Sequence, residues 1–173
     1  FSESQVKATW ATVGLLFART RDEMLGYAPL KEPGYINSEL SPYEFIRSGV
    51  GANEREDPLH FGRSLVDQIA NTEGQELATH TYSHYYCLEP GQTVEDFSAD
   101  IESASAIAGD AGHTFKSIVF PRNQMMDDHV TCCREHGITA FRGNPPTYLY
   151  RPRSGKENTL AVRGLRLLDG VFP

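Results

Sequence analysis

Hydrophobic and polar positions along this chain fall into alternating strand-like and helix-like stretches. "VKATWATVG", residues 6 to 14, concentrates β-branched and aromatic side chains and ends in glycine, which predicts a buried strand over Lys7 to Val13. The next residues set Leu15, Leu16, Phe17, Met24 and Leu25 among charges, which predicts one helix stopping near Gly26. From Pro29 to Pro58 the periodicity fades and prolines and glycines crowd together. Residues 29–58 therefore read as a long loop-rich insertion with one short helix around Pro42 to Ser48. "LHFGRSLVDQIANTEG" predicts a helix with Leu59, Leu65, Val66 and Ile69 inward and Gly74 just past its end. A short strand, Glu76 to Thr79, follows and delivers His80 at its C-terminal end. Thr93, with Asp96 three residues on, has the capping-box pattern and opens a helix over Val94 to Ala108. "SIVFP" gives a third strand, Ser117 to Phe120, "DDHVTCCREHG" a further helix ended by Gly137, and "ITAFRG" a fourth strand.

Strand and helix thus alternate, which predicts an α/β fold. Parallel strands joined by right-handed crossovers would form an open sheet or part of an α/β barrel, as a single domain over residues 1–173. Ligands in such folds bind beyond the carboxyl ends of the strands. His80, Gly14, the "PRNQ" at Pro121 to Gln124 and the "RGN" at Arg142 to Asn144 all fall at that edge.

Composition changes this picture mainly by exclusion. The chain of 173 residues, 39% hydrophobic, is long enough to bury a core without staples. Its net charge of -7 and pI near 5.3 offer no basic face to nucleic acid. No apolar run reaches the roughly 18 residues of a membrane span, and "FSESQVKATW" lacks the flank and core of a signal segment. The three cysteines, Cys87, Cys132 and Cys133, make neither a disulfide framework nor a CxxC motif. Free thiols favour a reducing compartment such as the cytoplasm, with Cys132 and Cys133 buried as small apolar residues.

Candidate chemistry concentrates in "GQELATHTYSHYYC", where His80 and His84 stand four apart. Two imidazoles at that spacing can converge on one divalent ion, or be loop histidines satisfied by hydrogen bonds. A metalloprotease H-E-x-x-H is excluded, because Thr81 stands where the glutamate base would be required. Asp127 and Asp128, an adjacent acid pair, sit where a helix begins and complement its dipole. Arg122, Asn123 and Gln124 read as a substrate groove or an ordinary polar turn. Tyr85 and Tyr86 read as stacking faces for a ligand or as packing residues, and Trp10 reads as core.

Three blocks in this order resemble the polysaccharide deacetylases with the NodB-homology domain, carbohydrate esterase family 4. "VKATWATVG" resembles the family's "VKATFFVVG" strand, "GQELATHTYSH" its "GHEIGNHTYSH" block, and "FPRNQ" its proline-containing groove motif. The resemblance covers residues 6 to about 144 and implies part of a deformed (β/α) barrel. It implies hydrolysis of an N-acetyl or O-acetyl group on a carbohydrate, with His80 and His84 holding a divalent metal, usually Zn2+, and Thr81 bracing their loop. It places Pro121, Asn123 and Gln124 in the substrate groove and gives the backbone N–H of Arg122 to the oxyanion; Tyr85, beside the ligands as a stacking face for a sugar ring, and Arg142, at a strand end, are the further expected substrate contacts. It also implies an aspartate base from a "TFDDG" motif and an acid histidine from a late "LxLH" strand, and neither motif occurs in this sequence. The arginine that usually precedes the groove proline by two residues is replaced by Val119. An acid pair is accordingly expected before Phe1, since a strand this near the first residue would leave an unpaired edge. Two rival readings follow: a noncatalytic carbohydrate-binding relative that lacks the base, and an unrelated α/β metalloprotein.

Overall fold

The computed structural model describes residues 6–145 and 147–171. Four parallel strands, β1 (Ala8–Thr12), β2 (Gln75–Thr79), β3 (Ser117–Ile118) and β4 (Ala140–Phe141), lie side by side in chain order. β1 and β2 pair over their full length, from Ala8 opposite Gln75 to Thr12 opposite Thr79. One face of the sheet carries a polar row, in which Thr9 and Ser117 both donate to the Glu76 carboxylate at 2.6 Å. Those two hydroxyls hold Glu76 below the usual carboxylate range. Trp10 is half-buried rather than core, with its indole N–H donating to Gln75 at 2.9 Å.

Between β1 and β2 the chain forms α1 (Arg21–Gly26), α2 (Tyr43–Gly49) and α3 (Arg63–Ala70). The single helix expected from Leu15 to Gly26 is two pieces, a 3-10 turn over Gly14–Phe17 and then α1. The break has a local cause. Thr20 caps α1 by accepting from the Glu23 N–H, and the Glu23 carboxylate reaches back to the Arg19 N–H, a variant of the Thr-x-x-Glu capping box. In α3 only Val66 is fully buried; Leu59 and Leu65, expected inward, are exposed. The insertion is well packed, with Tyr43, Ile46 and Val50 in the core, and its Ile36 N–H donates to Pro90 near the site.

α4 (Val94–Asp110) and α5 (Asp127–Glu135) carry the remaining crossovers. Thr93 caps α4 as expected, accepting from the Asp96 N–H at 3.2 Å. α4 serves two cores. Ala104, Ile107 and Ala108 pack with Phe17, Met24 and Tyr43, whereas Phe97 and Ile101 pack with Ile118, Phe120, Cys132 and Cys133. All three cysteines are free and buried, and burial raises their thiol pKa values, to about 12 for Cys133. Beyond β4 lies α6 (Leu160–Val171), tied to the turn at Tyr148–Tyr150 by an Arg166 bond to the Leu149 carbonyl and a Tyr150 bond to Asp169. No described helix is long and apolar enough to cross a membrane.

Candidate metal centre

His80 follows the last residue of β2 and extends its ladder, its N–H donating to the Thr12 carbonyl at 2.9 Å. The chain then folds back on itself, with Gly14 donating to Thr81 at 2.8 Å and Leu15 to Tyr82 at 3.1 Å. This return requires left-handed backbone at Thr81 (φ 64) and His84 (φ 61), a conformation that costs energy for residues with a side chain. Five side-chain hydrogen bonds fix it. Thr79 accepts from the Thr81 N–H, and the Thr81 hydroxyl accepts from the Tyr85 N–H at 2.7 Å, the bracing expected of Thr81. Asp100, reaching over from α4, accepts from the Tyr82 N–H at 2.6 Å and from the Ser83 N–H and hydroxyl.

The result is a pair of imidazoles whose ring centres lie 4.7 Å apart at the carboxyl edge of the sheet. His80 Nδ1 lies 2.6 Å from the Val119 carbonyl just beyond β3. A carbonyl can only accept, so Nδ1 carries the proton and Nε2 keeps its lone pair for a ligand. Metal-binding histidines are oriented in this way by a partner on the other nitrogen. Burial lowers the pKa of both rings; that of His84 falls to about 4, with His80 and the Arg122 guanidinium also opposing its protonation. Both are therefore neutral donors at neutral pH. Among the described residues no group of three or more His, Cys, Asp and Glu surrounds the pair. Asp127 and Asp128 are in the first turn of α5, as their sequence context implied.

Neither a family model nor a curated protein matches the chain.

The other residues singled out from the sequence divide by burial. Pro121 is buried at the start of a 3-10 turn, Pro121–Asn123, in which Arg122 and Asn123 are exposed with φ 53. The Arg122 N–H lies in the first turn, where helical carbonyls do not reach, and the Asn123 carbonyl accepts from Asn144 at 3.0 Å. Tyr85 and Gln124 are fully buried, which removes the contact roles expected of them. The Tyr85 hydroxyl donates within the fold to Gln92 or the Thr93 carbonyl, and the Gln124 amide joins Leu88, Glu89 and Arg153. Tyr86 is the half-exposed aromatic instead: its ring meets His84 edge-on at 5.1 Å and carries the Arg122 guanidinium 4.1 Å above its centre. Its N–H donates to Tyr35 at 2.8 Å, so the insertion buttresses the histidine loop. Arg142 is exposed on the segment after β4, and its N–H pairs with the Ile118 carbonyl.

In a pH titration followed by NMR, the His84 ring is expected to titrate near 4 and the His80 ring below 6.5. The sign of the stability effect follows. Unfolded imidazoles take protons near 6.5 and the folded ones only at lower pH, so the pair's contribution is whole above about 6.5 and declines as pH falls toward about 4. A His84 midpoint at or above 6.5 would contradict the desolvation described for it.

Proposed function

We propose that the protein is a metal-dependent deacetylase acting on an acetylated glycan, with His80 and His84 as two ligands of a divalent metal such as zinc. The observation that carries this reading is the His80 Nδ1 bond to Val119, which leaves Nε2 unprotonated on a ring centred 4.7 Å from that of His84 at a strand's carboxyl end. The donor set of two neutral imidazoles suits zinc, whose catalytic sites take three protein ligands and leave a position open. When bound, the metal supplies Lewis acidity toward an acetyl carbonyl and activates water. The chain's own residues do the remainder. Thr81 and Asp100 hold both rings in place, the Arg122 N–H is the donor assigned to the developing oxyanion, and Tyr86 offers an aromatic face beside the histidines. In this reading the four parallel strands are an arc of the deformed barrel of the NodB-homology type.

A noncatalytic carbohydrate-binding relative is the second reading, favoured by the lack of a carboxylate completing the histidine pair among the described residues. Acetate release from N-acetylated and O-acetylated oligosaccharides, with and without zinc, separates the two. Metal-dependent release that His80→Ala removes supports the deacetylase. Saccharide binding without release supports the binding protein, and neither response would contradict both.

A further inference from the structure

Arg122 also lines a cavity of about 550 Å³ whose walls do not include the histidines. Five arginines line it, Arg122, Arg151, Arg153, Arg163 and Arg166, and no carboxylate does. In a chain of net charge -7 this is a local reversal of sign. Among the described residues only Arg122 of the five has an ion pair, to Glu89 at 3.5 Å, and that carboxylate already accepts from Gln124 and the Gly155 N–H. Arg153 is the telling member. It is only 6% exposed, yet its guanidinium bonds go to the carbonyls of Tyr148, Leu149 and Arg151, which satisfy hydrogens without neutralising charge. A buried cation in that state favours an incoming anion, and arginine forks suit the planar or tetrahedral oxygens of carboxylate, sulfate and phosphate.

The cavity falls in the range of about 300–1,000 Å³ usual for small-ligand sites. Arg122 joins it to the metal centre: its guanidinium sits on Tyr86, and Tyr86 sits against His84. We infer that this pocket is an oxyanion subsite that receives the acidic group of a glycan whose acetylated sugar lies at His80 and His84. The assignment of the ligand to a glycan rests on the function proposed above; the anion site itself does not. An extended nucleic acid is disfavoured, because the basic surface is confined to one cavity of an acidic chain.

Calorimetric titration of the protein tests this with four probes: trigalacturonate, a sulfated chitobiose, glucose 6-phosphate and neutral N-acetylchitotriose. At least one acidic saccharide is expected to bind about tenfold tighter than the neutral one, and to weaken as salt is raised. Whichever acid wins names the group. The double variant Arg151→Gln/Arg163→Gln, two exposed positions, is expected to weaken that binding about tenfold or more, with its unfolding midpoint unchanged. His80→Ala is expected to remove zinc while keeping the preference for the acidic over the neutral saccharide, so a failed metal centre and a failed anion site are told apart. Equal binding of the neutral saccharide, or an unaffected arginine variant, would overturn the subsite. A DNA oligonucleotide that competes as well as the acidic saccharide at equal charge would overturn its assignment to a glycan.

Discussion

Asp100→Ala is expected to cost about 3 kcal/mol of folding stability and to abolish zinc binding. The carboxylate is fully buried and makes no ion pair among the described residues. It is the acceptor for the Tyr82 N–H, the Ser83 N–H and the Ser83 hydroxyl, all within a segment whose backbone is left-handed at Thr81 and His84. Alanine would leave those buried donors unanswered, and each such orphan costs about 1–3 kcal/mol. Part of this is offset, because desolvation pushes the Asp100 carboxyl up to about 6 against the pull of its hydrogen bonds. Released from Asp100, residues 81 to 84 lose the restraint that holds two φ angles positive, and the histidine rings separate. Asp100→Asn keeps one acceptor oxygen and should lose less. Denaturant unfolding and zinc titration of both variants check the ordering; an alanine variant that binds zinc like the wild type would remove Asp100 from this account.

Gly14→Ala is expected to have a comparable effect from the opposite side of the loop. A Cβ at this position would come within 2.6 Å of the Tyr82 ring and 2.9 Å of the Tyr82 Cα, with the Ala104 Cα at 3.3 Å. The ring cannot swing away, because Tyr82 is fully buried and its hydroxyl is bonded to the Met24 carbonyl. The backbone of Tyr82 or α4 must therefore shift. Overpacking of this kind costs about 1–3 kcal/mol, and here the strain falls on the residues between His80 and His84. The Gly14 and Leu15 bonds to Thr81 and Tyr82 would lengthen first. Loss of zinc affinity with a lowered unfolding midpoint is the expected result; an unperturbed midpoint would show that the contact is relieved cheaply.

These two positions also mark how far the sequence could be read. Gly14 stands at a strand end and is visible as punctuation, although nothing in its neighbourhood reveals the tyrosine that excludes a side chain there. Asp100 pairs with residues 17 and 18 positions away, a contact no local pattern encodes. One signal was available: it lies on the helical stripe of Phe97, Ile101 and Ala104, where an exposed acid would be out of place. The positions of the strands along the chain, the placement of His80 and the Thr93 cap were legible because each depends on neighbours within a few residues. The helix expected over Leu15 to Gly26 is interrupted because the Thr20 to Glu23 cap inside it starts a new helix despite the continuous apolar spacing. Tyr85 and Tyr86 are indistinguishable by type and adjacent, and only tertiary packing sends one into the core and the other toward His84. The arginine pocket was invisible for the same reason, since it joins Arg122 to residues some thirty to forty positions later.

The claim on which the rest depends is that His80 and His84 ligate a divalent metal. Zinc content after equilibration with buffered zinc and exhaustive dialysis, compared among the wild type, His80→Ala and His84→Ala, tests it most directly. The account predicts about one zinc per wild-type chain and loss of that zinc in each variant, with folding retained by circular dichroism. Unchanged zinc stoichiometry in both variants would contradict it.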